Sequence, residues 1–142
     1  MHAHSTYGTA FAQARVPIAC LGTTHADHFD GPIPVMRPLS ADEVAEEYEA
    51  NTGRVIVEHF RTNMISPRHV PAALPAGHAP FTWGDDAVAA VDNAVALEAT
   101  ARMAVLTGLL TGSHPDPLER WVLAKHHERK HGVDAYYGQE TR

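Results

Sequence analysis

The chain has 142 residues, enough for one domain with a real core, and its single cysteine, Cys20, excludes an internal disulfide framework and fits a reducing cytosol. A formal net charge of −6 with no basic run argues against nucleic acid or an anionic membrane as a partner. No uninterrupted apolar stretch is long enough to span a bilayer, and Met1–Ser5 lacks the basic region and apolar core of a signal peptide, so a cytoplasmic protein is expected.

Taken in chain order, residues 5–14 read as a helix of small and apolar residues that Pro17 ends. Val16 to Leu21 is a short apolar run and reads as a strand, followed by a polar loop, Thr23 to His28. Gly31-Pro32 and Pro34 keep the next stretch extended or turned. Ser40, with Glu43 three residues on, forms a capping box that starts a helix running to about Asn51, with Gly53 as its terminator. Arg54 to Phe60 alternates and reads as a strand, and 61–72 as a connection. Ala73 to Gly77 reads as a short strand in which Pro75 points to an edge or an irregular end. A long alanine-rich helix is predicted from Asp85 to Leu110, with Val88, Val91 and Val95 as its buried stripe and Glu98–Arg102 as an i,i+4 pair. A last helix spans Pro115 to His131, ended by Gly132, and an aromatic tail follows. Two or three strands with four helices make a thin sheet for an independent α/β domain.

Eleven histidines are many for this length. His2 and His4 are one residue apart, so on an extended strand both project to one face. A third histidine, His78, follows Gly77 at a turn and could close a tripod; three protein ligands and an open position are how a catalytic zinc is held. On local grounds each residue also has a plainer reading. Two histidines near a terminus are often solvated, and His78 alone can be structural. Asp27 is then a turn-forming residue, Tyr136-Tyr137 packing, and Cys20 a small buried hydrophobe.

In order along the chain come His2-Ala3-His4-Ser5, then Gly22-Thr23-Thr24-His25-Ala26-Asp27, then Tyr48-Glu49-x-x-Thr52-Gly53-x-Val55-Ile56-Val57-Glu58. Gly77-His78-Ala79-Pro80-Phe81-x-Trp83-Gly84, Lys125-His126-x-x-Arg129-Lys130-His131-Gly132 and Ala135-Tyr136-Tyr137-Gly138-Gln139 complete the series. Together these segments resemble the L-ribulose-5-phosphate 4-epimerase family of the class II aldolase/adducin superfamily, over nearly all 142 residues. The resemblance implies a three-layer α/β/α domain, of which residues 1–142 would be the C-terminal two-thirds of a single domain incomplete at its N-terminus. It implies that His2, His4 and His78 bind a divalent metal, most simply zinc, with imidazole nitrogens roughly 3–4 Å apart around Zn–N bonds of about 2.0–2.1 Å. It assigns Asp27 and Tyr137 as the acid/base pair, serving the metal of a neighbouring subunit in a fourfold homotetramer. His126 and Glu49 match positions near that site.

The implied reaction inverts C4 of a phosphorylated pentulose by retro-aldol cleavage of the C3–C4 bond. The aldehyde rotates and the bond re-forms on its other face. Zinc acts as a Lewis acid, and two proton-transfer groups stand on opposite sides of C4. The loops that bind the substrate phosphate lie, by the same resemblance, ahead of the His-x-His segment, so no substrate-binding residue is assigned here. The expectation for the 142-residue chain alone is exposed apolar surface, weak zinc binding and little turnover. Three other readings stand beside this one: a sugar-phosphate aldolase with the same tripod, a non-catalytic adducin-like assembly module, and an inactive remnant.

Overall fold

The computed structural model describes residues 1–112 and 115–138. Its elements are α1 (Thr6–Ala14), α2 (Thr23–Ala26), β1 (Val35–Met36), α3 (Ala41–Thr62), β2 (Ala72–Pro75), β3 (Phe81–Thr82), α4 (Ala87–Thr111) and α5 (Arg120–His131). The three strands form one sheet in the order β1-β2-β3. β1 runs parallel to β2, pairing Val35 with Leu74, and β3 runs antiparallel to it, pairing Ala72 with Thr82. His2 adds an isolated bridge to Phe81, which lays the start of the chain along β3.

All four residues of β2 are buried, as a central strand covered on both faces requires. Ala72 and Leu74 enter a core with Ala12 of α1 and Ala96, Leu97 and Ala101 of α4. Ala73 faces the other way, into a core with Val55 and Phe60 of α3. The period of two along one strand thus separates α1 and α4 on one side from α3 on the other, giving three α/β/α layers.

Several local expectations fail, each for a physical reason. Residues 54–60 are helical. The capping box at Ser40 is present, with Ser40 Oγ accepting from Glu43 N at 3.2 Å and Glu43 Oε2 accepting from Ser40 N at 2.8 Å. The helix it starts runs through Gly53 to Thr62, bending only at Glu47 (φ −138°, ψ 67°). Its buried residues, Asn51, Thr52, Val55 and Phe60, follow the helical repeat, while Val57 is exposed. Val16 to Leu21 makes only one bridge, Ile18 to Ile33. Thr23–Ala26 is a turn of helix and not a loop.

The α4 stripe is reversed. Val88, Val91 and Val95 are exposed, and the buried face is Ala90, Ala96, Leu97, Thr100 and Ala101. Small side chains face inward because α4 lies close on α1 and the sheet, and the valines are left outside along with Met103, Leu106, Leu109 and Leu110. Glu98 turns to α1, and Arg102 stands 5.9 Å from the Tyr7 ring. With 25 residues and a mean hydropathy of 1.3 over its most apolar window, α4 is long and apolar enough to cross a membrane by length and composition only. Asp92, Glu98 and Arg102 interrupt it, and it packs on α1, α2 and the sheet as a core helix with one open face.

Candidate metal centre

Two turns of backbone bring the three histidines together. His2 enters alongside β3, its backbone bridged to Phe81 and its ring stacked on Phe81 at 4.2 Å between centroids. His78 sits just after Gly77, whose φ of +74° turns the chain sharply between β2 and β3, and Gly77 N donates to Ala12 O at 2.8 Å. A second glycine permits the approach from the other side. A methyl group on Gly8 would lie 2.5 Å from Pro80 Cγ and 2.7 Å from Leu97 Cδ2, so only glycine lets α1 come this close to the turn after His78. Glu98 then holds the start of α1, accepting from Tyr7 N at 2.9 and 3.1 Å and from Gly8 N at 2.9 Å. This is a carboxylate at a helix N-terminus, where Ser5 supplies no side-chain cap.

The result is a trio in which one ligand nitrogen each from His2, His4 and His78 lie within 4.8 Å of one another. Ring centroids are 5.0 Å apart for His2–His4, 4.7 Å for His2–His78 and 5.2 Å for His4–His78. The spacing is somewhat wider than a closed zinc tripod, and His2 and His4 are exposed enough to close it by rotation. His2 Nδ1 lies 3.0 Å from Pro80 O. Donation to that carbonyl leaves Nε2 as the ligand atom, the arrangement usual for metal-bound imidazole. Burial, and then the charges of His2 and His4, hold His78 below the ordinary imidazole range, which favours the neutral, ligating form. The donor set fits a borderline-soft divalent cation.

Asp27 is not part of that cluster, which packs against Pro80, Phe81 and, at 6.1 Å, the Tyr48 ring. α5 folds across α2 and closes on Asp27. Arg129 reaches both carboxylate oxygens, with its Nη2 at 3.0 Å from Oδ1 and 2.9 Å from Oδ2, and His126 Nδ1 lies 3.0 Å from Oδ1. His131 Nε2 lies 2.8 Å from the Asp27 carbonyl. The Asp27 side chain is only 16 % exposed. Burial pushes its carboxyl up, but the hydrogen bonds and charges of Arg129 and His126 outweigh that and hold it below the usual carboxylate range. Asp27 is therefore ionised at neutral pH.

Tyr137 joins the same group. After Gly132 caps α5, Tyr136 N and Tyr137 N both donate to Arg129 O, at 2.9 and 3.1 Å, and the Arg129 guanidinium sits 4.0 Å from the centre of the Tyr137 ring. Asp27 and Tyr137, far apart in sequence, are thus joined through Arg129, with Tyr137 half-exposed. Arg129 had no role assigned from the sequence; the helical spacing of His126 and Arg129, i and i+3, was the signal for two side chains on one face. Glu49 is exposed on α3, and Gln139 lies outside the described residues. Cys20 is buried, its thiol pushed up to about 11, chiefly by burial, which agrees with the reading of an inert hydrophobe.

Residues 1–105 match the family described as the class II aldolase and adducin N-terminal domain. Proteins named L-ribulose-5-phosphate 4-epimerase UlaF from Salmonella paratyphi A and Salmonella typhi are 49 % identical over 141 residues, which is 99 % of this chain and 60 % of theirs. A protein from Mycoplasma pneumoniae named as a probable L-ribulose-5-phosphate 4-epimerase UlaF is 47 % identical over 100 % of this chain and 59 % of its own length. The chain thus spans about 60 % of the length of the curated relatives it matches. A solved L-fuculose 1-phosphate aldolase shares the fold, with a TM-score of 0.66 at 19 % identity over 90 % of this chain and 53 % of that one. By the match over residues 1–105 and the fold it shares, the chain belongs to the class II aldolase and adducin family.

Proposed function

We propose that this chain serves the zinc-dependent epimerisation of L-ribulose 5-phosphate to D-xylulose 5-phosphate by cleavage and re-formation of the C3–C4 bond. The observation that carries the proposal is the convergence of His2, His4 and His78 within 4.8 Å. The 49 % identity to proteins named as 4-epimerases supports the choice of reaction. A zinc ion held there, or another divalent metal, supplies Lewis-acid stabilisation of the negative charge that develops as the bond breaks. Asp27, ionised between Arg129 and His126, is the group suited to take the proton of the C4 hydroxyl. Tyr137, whose ring packs against the same guanidinium, is the group suited to give a proton back on the opposite face of the substrate. Because Asp27, at the end of α2, and Tyr137, after α5, are joined through Arg129 of α5 and Asp27 is not part of the histidine cluster, we propose that they serve the metal of a neighbouring copy, in a homotetramer with active sites between subunits. A cytoplasmic location, and residues 1–142 as the C-terminal two-thirds of a single class II aldolase-type domain, belong to the same proposal.

The test reads metal first and product second. The zinc-loaded chain is incubated with L-ribulose 5-phosphate, and the configuration at C4 is followed by NMR over long times, so that product identity and not rate is the readout. D-xylulose 5-phosphate without free glycolaldehyde phosphate is the expected result. Accumulation of dihydroxyacetone and glycolaldehyde phosphate would transfer the assignment to an aldolase. Zinc content unchanged by His2→Asn and His4→Asn would remove the tripod itself.

A further inference from the structure

Arg129 touches both of the groups assigned to proton transfer, and it does so with different parts of one side chain. Its edge is turned on Asp27: Nε and Nη2 donate to Oδ1 at 3.2 and 3.0 Å, and Nη2 also reaches Oδ2 at 2.9 Å. Its guanidinium carbon lies 4.0 Å from the centre of the Tyr137 ring. Its carbonyl accepts from the backbone of Tyr136 at 2.9 Å and of Tyr137 at 3.1 Å. Of the two tail tyrosines, Tyr137 is the one packed on the guanidinium, while Tyr136 faces Lys125 Nζ at 5.4 Å. A flat, permanently charged guanidinium can pair with a carboxylate through its fork and still stack on an aromatic ring, a combination that a lysine ammonium does not offer.

The backbone on both sides is built to hold this contact. Gly132 turns the chain back over the end of α5: a methyl group there would stand 2.5 Å from Glu128 O, which accepts from Gly132 N at 2.7 Å. Asp27 closes α2, its N donating to Thr23 O at 2.9 Å and its carbonyl lying 2.8 Å from His131 Nε2. The paired side chains are 22 % and 16 % exposed, so water competes little for the fork. His126 Nδ1, 3.0 Å from Oδ1, is the other α5 group on the carboxylate. His28, next in the chain, meets Lys130 of α5 at 3.4 Å and feels the charge of Asp92 on α4. Burial pushes the Asp27 carboxyl up, and Arg129 and then His126 hold it down.

We infer that Arg129 is a positioning residue for both proton-transfer groups: it fixes the Asp27 carboxylate and the Tyr137 ring together, so that the two act as one rigid unit. The inference rests on the reading of Asp27 and Tyr137 as the acid/base pair. A guanidinium does not release its proton in a protein, so Arg129 supplies position and charge and carries no proton itself. The proposed chemistry needs such a unit. The two groups must stand on opposite faces of C4, and small errors in the placing of reacting groups are costly to rate. One side chain in contact with both sets their spacing within a subunit, and carries it unchanged to the metal of a neighbouring copy.

The experiment reads the two groups separately by NMR in the 142-residue chain, without zinc or substrate. The Asp27 carboxyl is titrated through its 13C resonance, and Arg129→Gln should raise its midpoint by about one pH unit or more, the size of effect an adjacent arginine ordinarily has. Asp27→Asn should move the Tyr137 ring resonances in the wild type and leave them in place in the Arg129→Gln background. If Arg129→Gln does not fold, as judged by circular dichroism, Arg129→Lys carries the same test. It keeps the charge and loses the flat fork, so the midpoint should rise less and the link to Tyr137 should still be lost. An unmoved midpoint in Arg129→Gln, or a Tyr137 ring that answers to Asp27→Asn equally with and without Arg129, would overturn the inference. With zinc and L-ribulose 5-phosphate, Arg129→Gln should lower kcat on the order of 10²-fold with KM little changed and metal content kept. The acid limb of the pH profile should move up with the Asp27 midpoint, and an undiminished kcat would overturn the inference as well. No turnover in any form would count against the proposed reaction, and the NMR result would still decide the role of Arg129.

Discussion

Replacing Glu98 with alanine should loosen the joint between α1 and α4, and the size of the effect follows from the contacts. The carboxylate accepts from two backbone donors, Tyr7 N and Gly8 N, at 2.9–3.1 Å. Hydrogen bonds to a charged group contribute about 1.5–3 kcal/mol each, and the partial exposure of Glu98 lets water replace some of that, so about 1 kcal/mol per donor is a fair value. Loss of about 2 kcal/mol lowers Tm by roughly 6–8 °C for a chain of this size. Burial pushes the Glu98 carboxyl up, but bonds from Ser5 and from the backbone of Tyr7, Gly8 and Thr6 prevail and hold it below its ordinary value. A depressed folded-state pKa contributes stability above the unfolded value, and that stability is lost as pH falls through the folded one. The gap between wild type and Glu98→Ala, measured by thermal circular dichroism, should therefore be full at neutral pH and shrink in acid. Glu98→Gln, which keeps one acceptor and removes the charge, should fall between them. A Tm change below about 1 °C at neutral pH, or a gap that does not narrow in acid, would refute the reasoning.

Gly8→Ala should destabilise by about 3 kcal/mol in urea unfolding, because the new methyl group meets Pro80 and Leu97 at 2.5 and 2.7 Å; a cost below about 1 kcal/mol would mean that α1 shifts freely. Ser40→Ala should remove the capping box and cost about 1 kcal/mol, read as a lower urea midpoint at unchanged slope. Asp27→Asn should cost about 2 kcal/mol at neutral pH by weakening the bonds from Arg129 and His126. That difference should fade as pH drops through the depressed pKa of Asp27, and turnover should fall with zinc retained. An acid-independent difference would show that the charge is not what Arg129 holds.

The trio was legible because its spacing is short-range chemistry: His-x-His shares a strand face, and a glycine before His78 marks a turn. The α1 helix, the Ser40 box and the end of α5 at Gly132 were legible for the same reason, since each is set by a few adjacent residues. The errors lie where tertiary packing decides. Gly53 should stop a helix by propensity alone, but a glycine in a helix costs only about 1 kcal/mol, and burying Val55 and Phe60 beneath the sheet outweighs it. Alternation at 54–60 looked like a strand because a helical stripe sampled over seven residues also places apolar groups at close intervals. On α4, alanines looked like filler and valines like core, whereas close approach to α1 selects the smaller residues for the inside. Asp27 and Tyr137 were reached through family resemblance. The guanidinium that joins them could not be placed without knowing that α5 returns over α2.

The histidine trio joins residues 2 and 78, and any cation it takes becomes a cross-link. Closing a loop of about 75 residues removes roughly 4–5 kcal/mol of unfolded-chain entropy in the simplest treatment, on the scale of a disulfide. A chain with one cysteine would thus gain a reversible tie, set by mass action and not by redox state. Its resistance to heat and proteases would rise and fall with free zinc, and a chelator would act on it first as a denaturant.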